Sequence, residues 1–182
     1  MEAETTQNAP HAEVRGAAEP RSTQARLAWL AYGLAVLTVV LDQLSKWWIL
    51  SVVDLPAKGQ VPVLPFFNLT MVWNRGVSFG LLRAHTDFGR WLLVGFSIAV
   101  VLVLGVWAWR IHRRITAAAI GLIMGGALGN NIIDRVRLGA VTDFLDFSAL
   151  HFPWVFNVAD AAINVGVALL LIEMAFLQPK KA

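Results

Sequence analysis

Two stretches of this chain, Trp91 to Trp109 and Ile115 to Ile133, each run for 19 residues without a charged side chain. At about 1.5 Å per helical residue, such a run nearly spans the roughly 30 Å of hydrocarbon in a bilayer. Two further stretches are apolar but carry embedded charge. Leu27 to Leu50 contains Asp42 and Lys46, and Val155 to Leu177 contains Asp160 and Glu173. Hydrocarbon offers no water to backbone N–H and C=O groups, so runs of this kind must be helical. Composition agrees, with 57% hydrophobic and 15% charged residues, against about 45–50% and about 25% in soluble domains. The pattern predicts an all-α membrane protein of four transmembrane helices, near residues 27–50, 91–109, 115–133 and 155–177.

The connections complete the plan. Residues 1–25 are rich in Ala, Glu, Thr and Pro without apolar periodicity, and read as a disordered tail. The first apolar run is too long for a signal peptide and lacks a small-residue cleavage site, so it stays in the mature protein. Residues 26–178 form one membrane-embedded domain, and residues 179–182 a short tail. Residues 54–90 lie outside the bilayer. Their prolines and the run Phe66 to Trp73 predict a small extracytoplasmic β element between helices 1 and 2. Asp134 to Trp154 links the last two spans, with room for a short helix.

Four spans put both ends on one side. The tight turn Arg110 to Arg114 holds three arginines, which marks that side as cytoplasmic, because short loops weigh most in the positive-inside bias. Seven of the eight tryptophans fall at predicted span ends, where amphipathic indoles meet headgroups.

Several chemistries are set aside by what is missing. The chain has no cysteine, and its four histidines share no metal-ligand spacing, so neither a metal nor another cofactor is expected. The net charge of +3 comes with no basic stripe outside the membrane-flanking segments. Its expected partners are therefore membrane lipids rather than nucleic acid.

Charge within a span costs roughly 2.5–3.5 kcal/mol on insertion scales and needs a reason. Asp42 and Lys46, four apart, share a helix face and read as a self-neutralising pair. Asp160 has no basic residue after it until Lys180. It needs a partner from elsewhere, and Asp134, Arg135, Asp143 and Asp146 are the candidates. Two carboxylates about 3 Å apart cannot both ionise; one then serves as base and the other as acid. On the residues alone, a protease dyad, a proton or ion pathway, and a structural hydrogen-bond cluster all stand.

Five short blocks carry a resemblance. Asp42-Gln-Leu-Ser-Lys46, Asn74-Arg-Gly76-Val-Ser-Phe79, Gly125-Gly-Ala-Leu-Gly129 with Asn131-Ile-Ile-Asp134-Arg135, Val141-Thr-Asp143-Phe144 and Phe156-Asn157-Val-Ala-Asp160 follow in this order from the first span to the last. Together they resemble the D-x-x-x-K, N-x-G-x-[AS]-F, G-G-x-x-G-N-x-x-D-R, V-x-D-[FM] and F-N-x-A-D blocks of the lipoprotein signal peptidases, or signal peptidase II. The resemblance implies an aspartic endopeptidase of the bacterial inner membrane, with Asp143 and Asp160 as the catalytic pair near the outer face. It further implies a prolipoprotein substrate, cut just before a diacylglyceryl-modified cysteine. Asp42, Lys46, Asn74, Gly76, Asp134, Arg135 and Asn157 become supporting or substrate-binding residues of an enzyme working as a monomer.

One block departs from the pattern. Gly129 is followed by Asn130 and Asn131, one residue too many before Asp134. Regular helical spacing selects Asn131, three before Asp134, as the site asparagine. Gly121, Gly125, Gly126 and Gly129 form a smooth strip suited to close helix packing in lipid. Arg135 offers a planar donor fork to a carbonyl or phosphate. The competing reading is a small transporter with Asp160 as carrier carboxylate, which would need no outer β element.

Overall fold

The computed structural model describes residues 21–76 and 87–177. Most of the predicted N-terminal tail, the Val77 to Phe79 part of the second block and the C-terminal tail lie outside the described residues. Among the described residues, four helices are long and apolar enough to cross a membrane: Thr23–Val52, Asp87–Ala108, Arg114–Leu138 and Val158–Phe176. The first is helix α1 (Arg21–Trp47), continued by a π-helical stretch, Trp48–Val52. A short α2 (Leu55–Lys58) leads into strands β1 (Gln60–Leu64) and β2 (Phe67–Asn74). Helix α3 (Asp87–Ala108) and helix α4 (Arg114–Ala127) follow, and a second π-helical stretch, Leu128–Asp134, joins α4 to α5 (Arg135–Leu138). Strands β3 (Val141–Asp146) and β4 (Val155–Phe156) precede α6 (Val158–Ile172).

The sheet is antiparallel in the order β1-β2-β3-β4. Strand β3 comes from the Asp134 to Trp154 connector, which also holds the short helix expected there, α5. Val141-Thr142 is β-branched, which suits a pleated surface better than a helix turn. Gly139 at φ 74° ends α5 in the left-handed region and turns the chain toward β2. The β element between the first two spans is thus completed by a pair of strands from between the last two. This union brings residues near 74, 143 and 157 together.

Helix α4 is the centre of the bundle, packed between α1 and α6. Lipid is as apolar as leucine, so helices associate there through close fit rather than hydrophobic exclusion. Two adjacent glycines permit this fit on opposite faces. A Cβ on Gly125 would lie 2.6 Å from the Ala35 carbonyl oxygen of α1, and one on Gly126 would lie 2.6 Å from that of Ala159 in α6. The α1–α4 contact is filled by Ala28, Ala31, Ala35, Ala117, Ile120 and Met124. Phe88, Phe96, Leu102, Val103 and Val106 of α3 stay exposed, as acyl-chain-facing residues should. The sheet sits on the end of α1, where Leu69 and Phe144 pack against Ile49 and Leu55.

Candidate active site

Asp160 stands in the first turn of α6, because the helix starts later than its apolar run. Val155 and Phe156 are committed to β4, and Asn157 is the N-cap. Asp160, read from the sequence as lying within the apolar run from Val155, thus stands at a helix N-terminus. The four-residue block Asn157 to Asp160 is a capping box. The Asp160 amide donates to Asn157 Oδ1 at 2.9 Å, and the Asn157 amide donates back to Asp160 Oδ2 at 3.3 Å. The positive end of the helix dipole adds to this cradle for an anion.

Asp143 comes from the middle of β3. Val72 of β2 is its register partner, so Asn74, two residues on, lies diagonally across the same sheet face. Asn74 Nδ2 donates to Asp143 Oδ2 at 3.1 Å. Asn157 Nδ2 donates to Asp143 Oδ1 at 2.6 Å and to the Thr142 carbonyl at 3.2 Å. One fully buried asparagine thus grips both aspartates. Burial, with Asp160 nearby, raises the Asp143 pKa to about 7.

Asp146 does not join them. Odd spacing from Asp143 along β3 turns it to the other face of the sheet. There it accepts from Thr70 Oγ1 at 2.5 Å, the Ser148 amide at 2.9 Å and Gln60 Nε2 at 3.4 Å. The Thr70 and Ser148 hydrogen bonds hold its carboxyl below the ordinary range. Its place is in the sheet.

Behind Asp160 lies a buried ionic cluster. Lys46 Nζ is 2.8 Å from Asp42 Oδ2, 2.8 Å from Asp134 Oδ2 and 2.6 Å from Asn130 Oδ1. The Asp42–Lys46 pair is thus not self-contained, since it also binds Asp134 across to the α4–α5 junction. Gln43, which lies in the first block but drew no attention in the sequence, donates to Asp42 at 3.1 Å and Asp134 at 2.9 Å. The Ala159 amide donates to Asp42 Oδ1 at 3.1 Å, tying the cluster to α6.

Asn130, rather than Asn131, reaches the aspartates. Its Nδ2 donates to Asp160 Oδ1 at 2.7 Å while its Oδ1 accepts from Lys46. Spacing selected Asn131 on the assumption of an α-helix, but Leu128–Asp134 is π-helical. The wider π turn absorbs the extra residue and leaves Asn130 and Asp134 both facing Lys46. Asn131 turns away to accept from Arg135 Nε at 3.2 Å. Gly76 donates its amide to Asn74 Oδ1 at 3.1 Å, and its carbonyl accepts from Arg135 Nη2 at 3.3 Å. Gly76 itself has no positive φ; among the described glycines only Gly59 and Gly139 do.

Two cavities meet at the carboxylates. One, of about 410 Å³, is lined by Asp143 and Asp160 with Phe152, Trp154 and Phe156. The other, of about 270 Å³, lies on the α3 side and is lined by Asp160, Asn130, Asn131 and Arg135 with Leu93 and Phe96. Asn74, Asp160 and Ile163 border both. In the sequence Phe152 was legible only as a connector aromatic and Trp154 as an indole at a span end.

Known proteins resemble this chain over most of its length. A family model described as signal peptidase (SPase) II matches residues 34–176. The lipoprotein signal peptidase of Caulobacter vibrioides is 55% identical over 154 residues, 85% of this chain and 91% of that protein. That of Methylobacterium sp. strain 4-46 is 50% identical over 145 residues, covering 79% and 87%. A solved structure titled a bacterial membrane enzyme, obtained by the in meso method at 2.3 Å, superposes with a TM-score of 0.68 at 28% identity, covering 84% of this chain and 93% of that one. A second of the same title at 1.9 Å gives 0.68 at 30% identity, covering 81% and 94%. The chain is a multi-pass bacterial membrane peptidase and belongs to the signal peptidase II family.

Proposed function

We propose that this chain is an aspartic endopeptidase that removes the signal peptide from prolipoproteins, cutting just before a diacylglyceryl-modified cysteine. The observation that carries this reading is the pair Asp143 and Asp160, which line one cavity and are gripped by one buried amide, Asn157. Asp143, with its pKa near 7, holds the shared proton, and Asp160 at the helix N-terminus is the carboxylate. Asp160 takes a proton from water, whose oxygen attacks the scissile carbonyl carbon. Asp143 gives its proton to the carbonyl oxygen, forming a gem-diol. Asp160 then protonates the leaving nitrogen, the C–N bond breaks, and Asp143 recovers a proton from the gem-diol.

Asn74, Asn130 and Asn157 fix the carboxylates, and the cluster of Asp42, Lys46 and Asp134 fixes Asn130. Both ends are assigned to the cytoplasm, which puts the dyad near the outer face of the inner membrane, where a lipidated segment arrives laterally. No second subunit is invoked. A carrier role for Asp160 gives no reason for a second carboxylate fixed beside it, and the family relationship argues against it.

The test is cleavage of a purified diacylglyceryl-prolipoprotein in lipid bilayers. Wild type should release the signal peptide, and Asp143→Asn and Asp160→Asn should each lose at least about a thousandfold while remaining folded. Cleavage near the wild-type rate in either variant would remove the dyad assignment.

A further inference from the structure

Between Asp160 and Glu173, Asn164 is the only side chain of α6 able to form a hydrogen bond. It lies within the membrane-crossing stretch Val158–Phe176. Its side chain is exposed and makes no hydrogen bond among the described residues. An amide left without a partner in hydrocarbon is costly, so an asparagine there needs a reason. Its position supplies one, because it lines the 410 Å³ cavity together with Asp143 and Asp160.

Four residues after Asp160, Asn164 shares its face of the helix. That face continues through Val167, Ala168 and Leu171, all exposed. Val158–Phe176 is also the least buried of the four membrane-crossing stretches described. Helix α6 thus presents an uncovered stripe that starts at the two carboxylates and runs along the span away from β4. The apolar segment of a signal peptide precedes the cut. With its scissile bond at Asp143 and Asp160, that segment must run into the bilayer along the same direction.

The chemistry of the cut then calls for a polar group on this stripe. A carbonyl inside a helix is engaged by the amide four residues on, so the dyad reaches a scissile carbonyl only where the substrate helix has opened. Opening frees backbone N–H and C=O groups in an apolar setting, and each is costly unless matched. An asparagine side chain carries both a donor and an acceptor. Four helical residues put Asn164 about 6 Å beyond Asp160, a distance that an extended peptide covers in about two residues.

We propose that Asn164 is a substrate-positioning residue whose amide bonds the opened backbone of the signal peptide about two residues before the cut. The inference rests on the peptidase reading above and names the group that holds the signal-peptide side of the scissile bond. A contact to backbone serves signal peptides of differing sequence.

The test pairs a variant with substrates lacking one backbone donor. One synthetic diacylglyceryl-prolipoprotein peptide is all-amide, and two others carry an ester oxygen in place of the backbone N–H of the second or the third residue before the cut. In bilayers, wild type should cleave one of the two ester forms with kcat/KM lower by about tenfold. Asn164→Leu should cleave the all-amide peptide about tenfold more slowly and treat all three alike. It should melt no lower than wild type, because leucine suits a lipid-facing position. Equal cleavage of the three peptides by wild type overturns the proposal, as does a leucine variant that stays fully active. A leucine variant that is slow but still discriminates like wild type makes Asn164 a scaffold residue and overturns it as well. Cleavage of no peptide by wild type removes the peptidase reading itself. If the leucine variant does not fold, Asn164→Ala carries the same comparison.

Discussion

Replacing Asn157 by Ala removes a helix cap and two buried hydrogen bonds at once. The side chain caps α6 through the Asp160 amide, and its own amide satisfies Asp143 and the Thr142 carbonyl, all in a fully buried position. Loss of an N-cap costs about 1 kcal/mol, and each buried acceptor left unmatched costs about 1–3 kcal/mol. The sum is on the order of 4 kcal/mol. For a chain of this size that corresponds to a fall in Tm of roughly 8–16 °C. Asn157→Ser separates the two functions, because serine retains a capping oxygen but cannot reach Asp143 with an amide donor. The serine variant should recover only the cap's share, about 1 kcal/mol or roughly 2–4 °C over alanine, and should still lose about a hundredfold in kcat/KM, since Asp143 is no longer held. The assays are thermal unfolding in detergent and prolipoprotein cleavage in bilayers. An alanine variant melting within about 2 °C of wild type would refute the energetic reasoning, and a fully active serine variant would refute the positioning role.

The dyad also predicts a pH profile. Burial and Asp160 raise Asp143 to about 7, so its proton is present below that value and lost above it. In bilayers kcat/KM should fall about tenfold per unit as pH rises beyond the neutral range, and a profile flat to pH 9 would contradict the assignment. Deleting Asn131 should convert the π stretch to α-helix and keep cleavage within about tenfold of wild type, whereas Asn130→Leu should cost about a hundredfold or more. Cleavage rates of both purified variants check this. Gly126→Ala puts a methyl 2.6 Å from the Ala159 carbonyl and 2.5 Å from Ile163 Cγ1, so thermal unfolding should reveal a loss of about 1–3 kcal/mol.

Much of this protein is legible from its residues because the bilayer imposes a one-dimensional rule. A 19-residue uncharged run has only one stable form in hydrocarbon. The four spans therefore follow from local composition, and Gly125 and Gly126 mark where helices meet. The five ordered blocks pointed to Asp143 and Asp160 as well, each block being short enough to read along the chain.

What the sequence could not supply were the relations between distant segments. The connector holds the short helix expected of it, α5, but strand β3 was not legible, because strand pairing depends on a partner, and β2 lies about 70 residues earlier. The position of Asp160 at a helix start depended on β4 drawing off Val155 and Phe156. The choice between Asn130 and Asn131 turned on backbone hydrogen bonding that no side-chain spacing encodes, since Lys46 of another helix rewards the π turn that brings Asn130 and Asp134 to it together. The sequence by itself determined which segments enter the membrane, because transfer into lipid is a sum over local residues. Tertiary structure decided how the carboxylates are held, because a hydrogen bond needs both partners in space.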